Sequence, residues 1–221
     1  LKQVFTAGQR ARDLVRQILT FSRQTEQQRR PVNLALLLKE LLKLLRATLP
    51  ATIVVETSIA QPLEEVLGDP TQLHQVLMNL CTNAEHAMRD HGGTLTIRLD
   101  MAIPPEGVLH AQQLLPLQPY VRLQVQDTGR GMSPEIVERI FEPFFTTKAP
   151  GEGTGMGLSV VHGIVSSYEG AITVESTHGQ GTLFTLYLPR CNTIVTGDHL
   201  LPEHSPLRGK ECVLFVDDEV S

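Results

Sequence analysis

Between residues 30 and 190 this chain offers apolar side chains on one side of each element, which confines it to layered folds. Thr94–Met101 alternates, with Leu95, Ile97 and Leu99 to one side, and Tyr120–Gln126 does the same through Val121, Leu123 and Val125. Asp69–Asp90 carries Leu73, Val76, Leu77, Leu80, Ala84, Ala87 and Met88 on one face of a long helix. One-sided sheets and one-sided helices hide their apolar surface by stacking on each other. The neighbouring segments agree. Asn33 caps a helix through Leu34, Leu37, Leu38, Leu41, Leu42, Leu44 and Leu45; Ile53–Thr57 is a short strand and Gln61–Gly68 a loop. Ser133–Phe141 predicts a short helix opened by a Ser-Pro pair, and Leu158–Tyr168 a longer one. Ala171–Ser176 and Thr182–Leu188 close as a hairpin across Thr177–Gly181. The expected fold is α+β: a two-layer α/β sandwich with a mixed, mostly antiparallel five-stranded sheet, helices on one face, and a long helix in front.

That leading helix covers residues 1–28, where Val4, Ala7, Ala11, Leu14, Ile18 and Phe21 recur at spacings of three and four. Its apolar seam needs a second helix to cover it. Residues 1–31 hold seven bases and two acids, so a local +5 stands against −10 for the remainder of a chain whose net charge is −5. The acidic balance argues against nucleic acid as a partner. With 41% hydrophobic and 19% charged residues, intrinsic disorder is excluded as the main state. No apolar run approaches the roughly 20 residues of a membrane span, so no membrane contact is expected. Cys81, Cys191 and Cys212 lack metal-ligand spacing and read as reduced thiols of a cytoplasmic protein. Residues 102–119, with four prolines, form a long connection. Residues 190–210 read as a linker, and Cys212–Val216 as a buried-type strand beginning a further domain.

Three segments carry chemistry. Asn79 and Asn83 lie four apart beside the apolar stripe of the long helix, and stacked amide oxygens suit Mg²⁺. Asp127-Thr128-Gly129-Arg130-Gly131 follows a strand, placing a carboxylate where it can accept a hydrogen bond from an exocyclic amine such as adenine's. Gly153-Thr154-Gly155-Met156-Gly157-Leu158 precedes a helix, whose N-terminal amides can hold phosphate; the Gly-Lys-Ser/Thr ending of a Walker loop is missing. Lys148 stands just upstream. Each also has an ordinary reading: surface amides, a strand-to-helix turn, a glycine-rich loop, a solvated lysine.

Their order resembles one family. Asn79-Leu80-Cys81-Thr82-Asn83-Ala84 looks like the N box of the ATP-binding domain of histidine protein kinases, within the GHKL superfamily. Asp127–Gly131 resembles its G1 box, Phe141-Glu142-Pro143-Phe144-Phe145 its F box, Gly153–Leu158 its G2 box, and Gly179-Gln180-Gly181-Thr182 its last glycine motif. The resemblance spans roughly residues 31–189. RARDLVRQILTFSRQTEQQRR (residues 10–30) resembles the second helix of the dimerisation and phosphoacceptor hairpin, and VLFVDDE (residues 213–219) the first strand of a receiver domain.

The resemblance implies the domains: residues 1–30 half a dimerisation hairpin, 31–189 the ATP-binding catalytic domain, 190–210 a linker, 211–221 a truncated receiver. It implies ATP and Mg²⁺ as cofactors, with Asn83 coordinating Mg²⁺ and Asp127 binding the adenine amine over Gly129 and Gly131. Lys148 and the Gly153, Gly155, Met156, Gly157 and Leu158 amides would close on the phosphates, and Thr182 would support the adenine pocket. Asn79 stands where hydrolytic relatives carry a water-activating glutamate; Asn79 and Lys148 are the expected catalytic residues. The implied activity is transfer of the ATP γ-phosphoryl group to a histidine, with a homodimer through the N-terminal helix and a receiver or response regulator as partners. The parent is expected to be a hybrid sensor kinase, membrane-anchored or not. None of the eight histidines is followed by an acid, so the acceptor histidine is expected to be absent. The rivals are a GHKL-type ATPase and a non-catalytic nucleotide-binding dimerisation module.

Overall fold

The computed structural model describes residues 29–110, 113–149 and 153–191. The expected N-terminal helix, most of the linker and the strand Cys212–Val216 lie outside them. The elements are β1 (Arg30–Val32), α1 (Leu34–Thr48), β2 (Ile53–Ile59), β3 (Val66–Gly68), α2 (Pro70–Ala87), β4 (Gly93–Ala102), β5 (Leu109–His110) and β6 (Gln113–Leu114). After these come β7 (Tyr120–Asp127), α3 (Pro134–Val137), α4 (Gly157–Ser167), β8 (Ala171–Thr177) and β9 (Gly181–Pro189).

The main sheet has five strands in the order β2-β4-β7-β9-β8. β2 runs parallel to β4, and the other three pairings are antiparallel. The parallel pair requires a crossover, which α2 supplies. The inward residues of the alternating strands, Leu95, Ile97 and Leu99 with Val121, Leu123 and Val125, form one core with Leu38 and Leu41 of α1, Leu77 and Leu80 of α2, and Val161 and Val165 of α4. The two-layer expectation holds, with the helices on one face.

Local chemistry fixes the helix starts. Asn33 Oδ1 accepts from the Leu36 N–H at 3.2 Å. Asp69 Oδ1 accepts from the Thr71 N–H at 2.8 Å, with Pro70 in the first helical turn. Such a cap is worth about 1 kcal/mol. Tyr168, at the end of α4, ties two helices together. Its hydroxyl accepts from the Asp69 N–H at 2.9 Å and donates to Gln72 Oε1 at 2.6 Å. Arg29 lies over its ring at 5.3 Å and donates to the Ser167 carbonyl at 2.8 Å, a favourable place for a cation beside a helix C-terminus.

Three expectations are revised. Residues 66–68, expected within a loop, pair with residues 30–32 as a small antiparallel ribbon. The short helix ends at Val137 rather than Phe141, and turns carry the chain onward. The 102–119 connection contains the β5–β6 hairpin, and its Val108 and Leu115 pack on Tyr120, Ala171 and Tyr187 in a second small core. Tyr120 pairs with Pro189 at the end of β7 opposite Asp127, so this cover lies remote from the sequence motifs. Among the described residues, no helix is long and apolar enough to cross a membrane.

Candidate nucleotide site

α2 carries the site. Asn79, Asn83 and Ala87 follow at four-residue steps along one face, ~6 Å apart per step. Around Asn79 and Asn83 gather the start of α4 and the loop before it. A Cβ placed on Gly157 would lie 3.5 Å from Asn79 Oδ1 and 4.0 Å from Asn83 Nδ2, so the helix begins directly against the two amides. Lys148 Nζ donates to Asn83 Oδ1 at 3.1 Å, and its stem crosses Gly153, whose Cβ would fall 2.8 Å from Lys148 Cδ. No side chain caps α4: its cap residue is Met156, and the first-turn N–H groups face outward from a positive helix end.

One turn further along α2 lies the second half. Asp127 ends β7 at 5% exposure, and Thr182, at 6%, stands opposite it on β9. Asp127 Oδ1 accepts from the Gly129 N–H at 2.8 Å. Burial raises the carboxyl above its ordinary range, and the Gly129 and Thr182 backbone donors pull it back in part. Gly129 abuts Ala87, whose carbonyl oxygen would stand 2.6 Å from an added Cβ; the Arg130 N–H donates to that same carbonyl at 3.1 Å. Gly131 has φ +61 and packs on the Thr177 carbonyl. These two glycines therefore have a reason in the protein's own packing, independent of any ligand.

The expected site residues thus fall into two groups beside α2: Asn79, Asn83, Lys148, Gly153 and Gly157 around its middle turns, and Asp127, Gly129, Gly131 and Thr182 near its C-terminal end. Gly155, at φ +67, packs against the backbone of Phe144, itself at φ 68 and 62% exposed. Leu158 packs its side chain on the main core, and the Met156 N–H donates to Thr154 Oγ1 at 3.4 Å. Sequence reasoning missed three supports. Thr128 Oγ1 accepts from the Thr94 N–H at 2.9 Å. Ser176 Oγ accepts from the Met132 N–H at 2.9 Å and lies 2.9 Å from Thr182 Oγ1. The Gly179 N–H donates to the Arg130 carbonyl at 2.7 Å. Ser176 was accessible in principle, because the hairpin across Thr177–Gly181 places it opposite Thr182.

Cys81 sits between the two asparagines but turns inward with 0% exposure, and burial pushes its thiol up to about 12. It is a core residue. Among the described residues no three of His, Cys, Asp or Glu gather as a metal cluster. A cation here would be held by amide oxygen, and Asn83 Oδ1 already faces one in the Lys148 ammonium.

The model of the family described as "Histidine kinase-, DNA gyrase B-, and HSP90-like ATPase" matches residues 68–192. The chain belongs to that family. ATP is accordingly the nucleotide of this ATPase fold. Sensor kinase CckA of Brucella abortus (strain 2308) is 36% identical over 219 residues, covering 95% of this chain and 23% of that protein. Sensor histidine kinase ZraS of Escherichia coli (strain K12) is 41% identical over 127 residues, covering 58% of this chain and 23% of that protein. The chain thus spans about a quarter of the length of these curated relatives. Among solved structures, full-length ShkA in complex with AMPPNP superposes with a TM-score of 0.66 at 28% identity, over 83% of this chain and 36% of that one.

Proposed function

We propose that this chain is the ATP-binding catalytic domain of a sensor histidine kinase, passing the γ-phosphoryl group to a histidine on a dimerisation hairpin. The observation that carries the reading is the convergence of Asn79, Asn83 and Lys148 on the uncapped start of α4, one helical turn from the Asp127 end. Asp127 accepts the adenine amine beside the C-terminal end of α2, with Thr182 behind it. The first-turn amides of α4 and the Lys148 ammonium take the phosphates one turn back along the helix, beside Asn79 and Asn83. Mg²⁺, when bound through Asn83, supplies charge neutralisation between phosphates. Asn79 is an amide and cannot remove a proton from water, so the site favours a protein acceptor over hydrolysis. Phosphoryl transfer asks mainly for positioning and charge neutralisation, which these groups supply.

In this reading residues 31–189 are the catalytic domain, 1–30 half of the dimerising hairpin, 190–210 a linker and 211–221 the beginning of a receiver. The partners are a second copy through the hairpin and a receiver or response regulator. The relatives named sensor kinases support it.

The test supplies labelled ATP, Mg²⁺ and a separate hairpin bearing the acceptor histidine. Acid-labile, base-stable label is expected on the hairpin and none on this chain. Free phosphate released at the same rate without a hairpin would instead make the chain an ATPase. Absence of Mg-ATP binding in titration calorimetry would sink the site itself.

A further inference from the structure

Lys148 serves an oxygen of the protein itself. Its ammonium holds Asn83 Oδ1 at 3.1 Å across 65 residues of chain. Two further contacts fix the lysine in that pose. Its backbone N–H donates to Thr146 Oγ1 at 3.1 Å, and its stem lies over Gly153, where any Cβ would come within 2.8 Å of Lys148 Cδ. Asn83 is fixed in turn by α2, with its Nδ2 facing Gly157.

We propose that Lys148 is the resident cation of the Asn83 carboxamide, a latch that opens when the nucleotide's phosphates draw the ammonium away. The inference rests on reading Asn83 as the metal-holding residue and adds an order of events to it. An ammonium at 3.1 Å and a divalent cation at ~2.1 Å from the same amide oxygen would repel at close range, so the two compete for Asn83 Oδ1. Phosphate oxygens are the stronger acceptors for an ammonium than a neutral amide. Lys148 therefore leaves Asn83 for the phosphates, and the freed carbonyl oxygen becomes available to the metal. A metal ion alone gives Lys148 no new acceptor and leaves the latch closed. Seating of the metal is thus coupled to seating of the phosphates through a single side chain.

Hydrogen exchange on the whole 221-residue chain without nucleotide tests this directly, read at the amides of residues 144–149. Asn83→Ala is expected to speed that exchange about tenfold, equivalent to about 1.4 kcal/mol. Lys148→Met, a change on the loop itself, is expected to do the same, which covers the case of a poorly folded Asn83 variant. Protection of Leu77 and Leu80 in α2 reports that each variant is folded. Excess Mg²⁺ alone is expected to leave the wild-type loop unchanged, whereas Mg-AMPPNP is expected to alter it. Loop exchange at the wild-type rate in both variants, or acceleration by Mg²⁺ alone, overturns the latch. Calorimetry on the wild type separates the two ideas: Mg-AMPPNP binding by the wild type with loop exchange unchanged in both variants refutes the latch alone, and no binding by the wild type refutes the nucleotide reading.

Discussion

Gly179, in the turn between β8 and β9, and Gly181, the first residue of β9, both hold positive φ, +80 and +101. Alanine at either position should cost very different amounts. At Gly179 nothing lies within 4 Å of an added Cβ, so Gly179→Ala is charged for backbone strain alone, about 1–2 kcal/mol. At Gly181 the same Cβ would collide with the Asp127 carbonyl oxygen, with the Thr128 Cα at 2.9 Å, and φ lies further from the left-handed minimum. Relief requires β7 and β9 to part where Asp127 faces Thr182, losing ladder pairing at the motif itself. Strain plus displacement gives about 3–5 kcal/mol. For a chain of this size each kcal/mol moves Tm by about 2–4 °C, so Gly179→Ala falls about 2–8 °C and Gly181→Ala about 6–20 °C. Urea unfolding read by circular dichroism supplies the free energies, and ATP affinity should fall in Gly181→Ala alone. Equal losses for the two variants would refute the claim that collision with Asp127, rather than turn geometry, fixes glycine here.

Three further outcomes follow from the buried titratable groups. Asp127→Asn should weaken ATP binding by roughly 10- to 100-fold in calorimetry, the scale of a hydrogen bond to a charged group. Because burial raises the Asp127 carboxyl in the folded state, its contribution to stability is complete at low pH and lost as pH rises through that raised value. The variant should therefore flatten the pH slope of wild-type stability over that range; an identical slope would show that Asp127 is not the group responsible. Cys81, with its thiol pushed up to about 12 and no exposed surface, should resist maleimide in the native protein and react after denaturation, as peptide mapping will report.

The elements with a strong period were legible in advance. β4 and β7 alternate over eight residues or more, and α1 and α2 open at Asn33 and Asp69 with side chains that cap them. The β1–β3 ribbon and the β5–β6 hairpin were not, because strands of two or three residues contain too little alternation to read. Their pairing is decided by tertiary packing. The candidate site divides the same way. Its residue types and their order were visible, but the contact of Lys148 with Asn83 joins segments far apart in sequence and belongs to the fold. The glycines of Asp127–Gly131 are instructive. Their sequence suggests backbone approaching a flat ring, and the structure adds the carbonyls of Ala87 and Thr177 as neighbours that already exclude a side chain.

Both halves of the candidate site pack against α2, and this makes the helix a ruler. Asn79, Asn83 and Ala87 cannot change their mutual spacing without breaking helical hydrogen bonds, so in the proposed reading the helix sets the distance between base and phosphates. Loops can adjust; the gauge cannot. Discrimination by length is then a property of a stretch of main chain, and substitutions that keep every named side chain yet kink α2 between Asn79 and Ala87 would still put the two ends out of register.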